Sequence, residues 1–438
     1  MSDAFSDRAR VQAMLDVEAA LAEAEASQDI IPSAAAQAIR TAARVELYDL
    51  ASLAAEAHRA GNAAIPLVAH LTKHVARSDV EAARYVHWGV TSQDIIDTAF
   101  ALQLRASVPP IVADIQRAAS AAAQHARRHV DTVMVGRTWL QQATPTTFGL
   151  KAAGWMDALS RVQLGIARAL DGALVLQFGG ASGTLAALGT RGPEVAAALG
   201  ERLKLRVPAL PWHSQRDRIV ELACALGIAA GSLGKIARDL ALLAQTEVAE
   251  AYQPAGDAGG SSTMPHKRNP VHAAIAVAAA IRVPGLVATL LSAMPQEHER
   301  GLGGWQAEWD AMPALVLATA ESAESIADAL QRLVIDPDRM QTNLKLTRGL
   351  VMAEAVAIRL APHLGKAEAH ALVDAACRRA AVDKRDLQDV LAEEPAVTAI
   401  LDRGALARAL APDQYLGAAR TFVEHALNQH DARARGDA

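Results

Sequence analysis

Aromatic residues are scarce in this 438-residue chain, at 3%, and the alternating Val, Thr, Tyr and Phe of a half-buried sheet is almost absent, which argues against a β-rich fold. Cysteine is scarcer still. Cys224 and Cys377 fit no Cys-x-x-Cys spacing, so neither a disulfide scaffold nor a thiolate metal cluster is expected, and both read as buried thiols of a reducing compartment. Neither sign of charge dominates: 43 basic residues face 48 acidic ones, mixed along the chain, for a net charge of −5. No nucleic acid and no membrane is therefore expected as a partner, and any anion site must be local. The opening residues are polar and no unbroken apolar run approaches the roughly 18 residues of a membrane span, so a cytoplasmic location is the expectation.

What the chain has in quantity is alanine among 51% apolar residues, a composition suited to closely packed helices. Proline-free stretches locate them. Between Pro211 and Pro254, Ile219, Leu222, Leu226, Ala229, Leu233, Ile236, Leu240 and Leu243 recur at three and four residues, the seam of one long bundle helix. Gly227, Gly231 and Gly234 inside it predict close approach of neighbouring helices. Similar segments run over 111–144, 146–192 and 314–336, preceded by shorter helices at 8–26 and 51–74 that end near the Pro109-Pro110 break. The expected fold is all-α with three domains: an N-terminal helical domain (1–108), a central long-helix bundle (109–348) and a small C-terminal helical domain (349–438).

Three stretches carry chemistry. Gly259-Gly-Ser-Ser-Thr-Met-Pro-His-Lys-Arg-Asn-Pro270 places a hydroxyl pair on a glycine-rich segment beside Lys267 and Arg268. A serine hydroxyl is a poor base at neutral pH and serves only where cations and N–H groups stabilise its alkoxide. His87-Trp-Gly-Val-Thr-Ser-Gln-Asp94 reads as a helix N-terminus with two hydroxyls, which serves equally as an ordinary cap and as an anion site. The third is Gly136-Arg-Thr-Trp-Leu-Gln-Gln-Ala-Thr-Pro145.

Together these strings resemble the signatures of the fumarase/aspartase superfamily, from about Phe5 to the C-terminus. The resemblance implies that Ser261 is the catalytic acid/base, that no cofactor and no metal is used, and that the substrate is a small polycarboxylate. It implies substrate-binding roles for His87, Thr91, Ser92, Thr138, Trp139, Gln141, Arg216, Lys267, Asn269 and Arg300, the arginines being the least certain. It further implies a homotetramer with a tetrameric helical core and active sites shared between subunits. Gly179-Gly-Ala-Ser-Gly-Thr184 is similar to a glycine-rich active-site turn of that superfamily.

The chain departs from the adenylosuccinate lyase pattern at two linked positions. Trp139 stands where a histidine belongs, and Ala274 where its glutamate partner would fall. Expelling an amine or hydroxide requires a proton donor, whereas a carboxylate, with a pKa near ~4, leaves or attacks unaided. The missing pair therefore points to lactonisation, in which a carboxylate adds to a double bond and Ser261 moves the proton. Two alternatives stand beside it: elimination of fumarate of the adenylosuccinate lyase type, and a catalytically silent structural homologue. Two histidine pairs, His70/His74 and His125/His129, share helix faces, but neither has a third ligand in the sequence pattern.

Overall fold

Leucine and alanine at helical spacing produce helices almost throughout. The computed structural model describes residues 2–254, 260, 263, 264 and 267–435, and among these are seventeen α-helices and two two-stranded sheets. The longest helices are Ser92–Arg128, Phe148–Ala173, Asp217–Leu243, Val271–Ala293 and Gly304–Gln331. The seam from Ile219 to Leu243 is buried at all eight positions, and its 27-residue helix extends about 40 Å. At Gly227 an added Cβ would lie 2.9 Å from Val287, so here a neighbour does press on the glycine; at Gly231 the space is open.

The chain divides into two units. The first comprises Met1–Asp114, Val162–Gly231 and Ala278–Glu324. Its core is assembled from the Asp7–Ser27 helix, the shorter helices Ser33–Ala42 and Ala64–Ala76, the start of the Ser92–Arg128 helix, and the Gly192–Leu203 helix. The Asp7–Ser27 helix opens on Ser6, whose hydroxyl accepts from the Ala9 N–H at 3.2 Å, and it is buried on nearly every side. The second unit comprises Ile115–Arg161, Ser232–Val277 and Ser325–Ala438. One of its cores lies between the Ala353–Leu364 and Lys366–Asp383 helices, around Val356, Leu360, Val373, Leu387 and Val390.

Three expectations change, and two helices bear on a fourth. The Pro109-Pro110 pair does not end a helix, because both rings sit on the exposed side of Ser92–Arg128, where the carbonyls they deprive of partners reach water. Residues 133–147 form not helix but an antiparallel hairpin, Val133–Thr138 with Gln141–Thr147. The β-branched and proline-bearing sequence favours extended backbone, and Arg137 staples the hairpin by a two-pronged ion pair to buried Glu250, at 2.8 and 2.7 Å. Helices Asp217–Leu243 and Val271–Ala293 are long and apolar enough to cross a membrane by length and composition alone; the first is largely a buried core helix, the second is mostly uncovered. Cys224 and Cys377 are free but only half-buried.

Candidate active site

Thr91, Ser92 and Arg300 come together in the first unit. Thr91 precedes the Ser92–Arg128 helix, and its backbone N–H donates to Asp94 Oδ2 at 3.1 Å, the back-bond of a capping box. The first-turn N–H groups and the helix dipole there favour a carboxylate. Arg300 adds a cation, donating from Nη1 to Thr91 Oγ1 at 2.8 Å. His87 lies just upstream in the left-handed region, at φ 60°, with Nδ1 2.6 Å from Glu18 Oε1. Burial works against a charged imidazole there, but the charge and hydrogen bond of Glu18, helped by Asp94, prevail and raise the pKa of His87.

Asp94 does more than cap. Its two oxygens also accept from Gln177 Nε2 at 3.1 Å, from the Gly179 and Gly180 N–H groups at 3.0 and 2.8 Å, and from His213 Nε2 at 2.7 Å. This buried carboxylate thereby ties the glycine-rich turn to the helix start. The turn demands glycine: Gly180 has φ +68°, and a Cβ on Gly179 would meet Pro211 at 2.7 Å and His213 at 2.9 Å.

Arg216 departs from its expected role. It is buried, with Nε and Nη2 donating to Glu308 at 2.9 and 2.5 Å, and Nη1 and Nη2 to Asp97 at 2.7 and 3.2 Å, over the Trp212 ring. A guanidinium held by two carboxylates holds helices together and has no open face for a substrate carboxylate. Trp305 adds its indole N–H to Asp97 at 2.9 Å.

In the second unit, Thr138 and Gln141 pair across the hairpin end, leaving Trp139 and Leu140 as a two-residue turn with φ of 53° and 63°. These are the angles of a type I′ turn, which favours Asn-Gly over bulky residues. Trp139 is 96% exposed and Leu140 78%, so the tip is an apolar projection with nothing of its own unit covering it. Lys267 and Asn269 line a cavity of about 610 Å³ with Tyr252, Gln253, Met264 and Arg268, walled by Leu240 and Leu333. Ser261 lies outside the described residues. The histidine pairs have other occupations: His70 Nε2 is 3.1 Å from Glu56, and His125 Nε2 donates to the Leu330 carbonyl at 2.8 Å.

Motif reading missed Glu18, Asp97, Glu250 and Glu308, and underrated Asp94. Glu18 and Glu25 did leave a trace in the sequence, two carboxylates seven residues apart on the helix face that also carries Leu15 and Ala22.

Residues 1–285 match the family described as Lyase, and residues 349–426 that described as Adenylosuccinate lyase C-terminus. The chain belongs to the fumarase/aspartase lyase family. Within it, the chain is 53% identical to the 3-carboxy-cis,cis-muconate cycloisomerase of Pseudomonas aeruginosa over 99% of this chain and 94% of that one. It is 42% identical to the nitrosuccinate lyase of Streptomyces davaonensis over 98% and 92% of the two chains. The crystal structure of the 3-carboxy-cis,cis-muconate lactonizing enzyme from Pseudomonas putida superposes with a TM-score of 0.93 at 50% identity, covering 99% of this chain and 97% of that one. A class II fumarase from Schistosoma mansoni, 18% identical over 94% and 91% of the two chains, shares the fold with a TM-score of 0.78.

Proposed function

We propose that this protein is a cycloisomerase converting 3-carboxy-cis,cis-muconate to 4-carboxymuconolactone in bacterial aromatic degradation. The observation that carries the reading is Trp139 at the hairpin tip together with Ala274 on the Val271–Ala293 helix, which leave no histidine–glutamate acid for expelling an amine or hydroxide. One substrate carboxylate attacks C4 of the diene, the new C–O bond forms, and charge collects on the carboxylate conjugated with the adjacent carbon. Ser261 delivers a proton to that carbon and regains one from solvent. Thr91, Ser92, Gln141, Lys267 and Asn269 stabilise the developing dianion more than the ground state. Arg300, bonded to Thr91, supplies positive charge at the carboxylate-binding helix end.

The same reading has a homotetramer in the cytoplasm, with segment 109–348 as its core and sites completed by residues of more than one subunit. Two surfaces support it. The Val271–Ala293 helix has Arg282 as its single Lys, Arg, Asp or Glu and leaves Ile281 66% and Leu291 48% exposed, an apolar face suited to burial against other copies. The Trp139-Leu140 tip is a second such surface.

Loss of 3-carboxymuconate absorbance on adding the purified protein, unaffected by a chelator, is the expected result, and Ser261→Ala should lower turnover on the order of 10²–10⁴-fold. Near-normal turnover by a folded Ser261→Ala, or turnover of adenylosuccinate in place of the muconate, overturns the reading. Sedimentation should show a tetramer of 46.0-kDa chains.

A further inference from the structure

A histidine–glutamate pair does exist in this chain, away from the position where motif comparison places one. Glu18 stands in the middle of the Asp7–Ser27 helix with its side chain 1% exposed, and its Oε1 meets His87 Nδ1 at 2.6 Å. The two residues are 69 positions apart, and Glu18 belongs to none of the motifs. His87 retains 19% of its side-chain exposure, so the ring bridges a buried carboxylate and an accessible surface. Its backbone adopts a left-handed conformation, unfavourable for a residue with a β-carbon and sustained only where the surrounding contacts demand it. Four residues later comes Thr91, hydrogen-bonded to Arg300.

A carboxylate can only accept, so Nδ1 carries the hydrogen in this pair and Nε2 is the ring nitrogen left for a ligand. We propose that Glu18 is a positioning residue that holds His87 as a fixed cation, presenting its Nε2–H to a carboxylate of the substrate beside Thr91 and Arg300. The pair serves as an anchor, and the proton transferred to carbon does not come from it. The inference rests on the carboxylate substrate proposed above.

The charges around the ring are consistent with this. Glu18 faces it from the Asp7–Ser27 helix and Asp94 from the Ser92–Arg128 helix, with Asp94 itself bonded to His213. Glu25 and Tyr48 couple to Glu18; burial first and Glu18 second push the Glu25 carboxyl up to about 9 and hold the Tyr48 phenol protonated. With Glu25 neutral at pH 7, the charge of Glu18 is not shared with its neighbour on the helix, and His87 is its counter-ion.

The test uses the intact protein with Glu18→Gln, which keeps the shape of the side chain and removes its charge. In the ligand-free protein, the His87 ring resonance, assigned by its absence in His87→Gln, should titrate at lower pH in Glu18→Gln than in the parent. With 3-carboxymuconate, KM at pH 7 should rise roughly tenfold with kcat little changed, and the fall of kcat/KM with rising pH should begin at lower pH. Glu18→Gln should add nothing to KM in a His87→Gln background. An unmoved ring titration, a loss confined to kcat, or an equal loss in the His87→Gln background overturns the proposal. A parent protein that leaves the muconate unchanged defeats the proposed function instead, while the ring titration still decides the pair.

Discussion

Around the helix start at Ser92, the strong charges are buried and matched: Arg216 against Asp97 and Glu308, His213 and two backbone N–H groups against Asp94, His87 against Glu18. Around the Val133–Thr147 hairpin and the Lys267 cavity, Arg137 and Glu250 pair just below the hairpin's tip, but Lys267, Trp139 and Leu140 are exposed. The first region spends its polar groups on holding helices in place and leaves few of them, Thr91, Ser92 and Arg300 among them, accessible. The second keeps apolar bulk and a cation open to whatever arrives. Residue type alone does not separate these tasks, since within the first region Arg216 is sealed between Asp97 and Glu308 while Arg300 is exposed and donates to Thr91.

The contrast is most strongly challenged at Arg216. Replacing it with alanine strands two buried carboxylates, and urea denaturation should show a loss of about 3–5 kcal/mol. A loss below about 1 kcal/mol would mean that the network is not structural. Lys267→Ala should do the opposite, lowering turnover roughly 10²-fold while leaving the denaturation midpoint within about 0.5 kcal/mol of the parent.

Glu25 sharpens the comparison through pH. Its carboxyl is raised from 4.5 to about 9 by burial and by Glu18, so between those values the folded protein keeps a proton that the unfolded chain has lost. Its contribution to stability is therefore fully present below pH 4.5 and is lost as pH rises toward 9. Thermal melts at pH 5 and pH 8.5 should differ less in Glu25→Gln than in the parent; an unchanged difference would show that Glu25 is not the source. The smallest effect is expected at the hairpin tip. Trp139→Gly relieves a strained φ worth about 1 kcal/mol but gives the unfolded chain more freedom, so stability should stay within about 0.5 kcal/mol while KM rises. A large loss of stability would place Trp139 among the architectural residues.

Legibility followed the range of the interactions. The helix-start motif, the glycine-rich turn and the hydroxyl-bearing loop were readable because each depends on neighbours within a few positions. The proline pair misled because a ring's effect depends on which side of the helix faces water, and the hairpin was missed because Glu250 and Asn343, which anchor Arg137 and Gln142, are roughly a hundred and two hundred positions away.

By itself, the sequence determined the all-α character and the seam from Ile219 to Leu243, since apolar spacing at three and four residues is a local property that burial then satisfied. It also showed Trp139 and Ala274 standing at two linked departures from the adenylosuccinate lyase pattern that the surrounding strings resemble. Only the tertiary structure decided that Arg216 is sealed between Asp97 and Glu308, that 133–147 pairs as strands, and that Glu18 reaches His87. Those outcomes hang on the partner a buried charge or an open backbone group finds, and that partner is chosen by how helices distant in sequence pack.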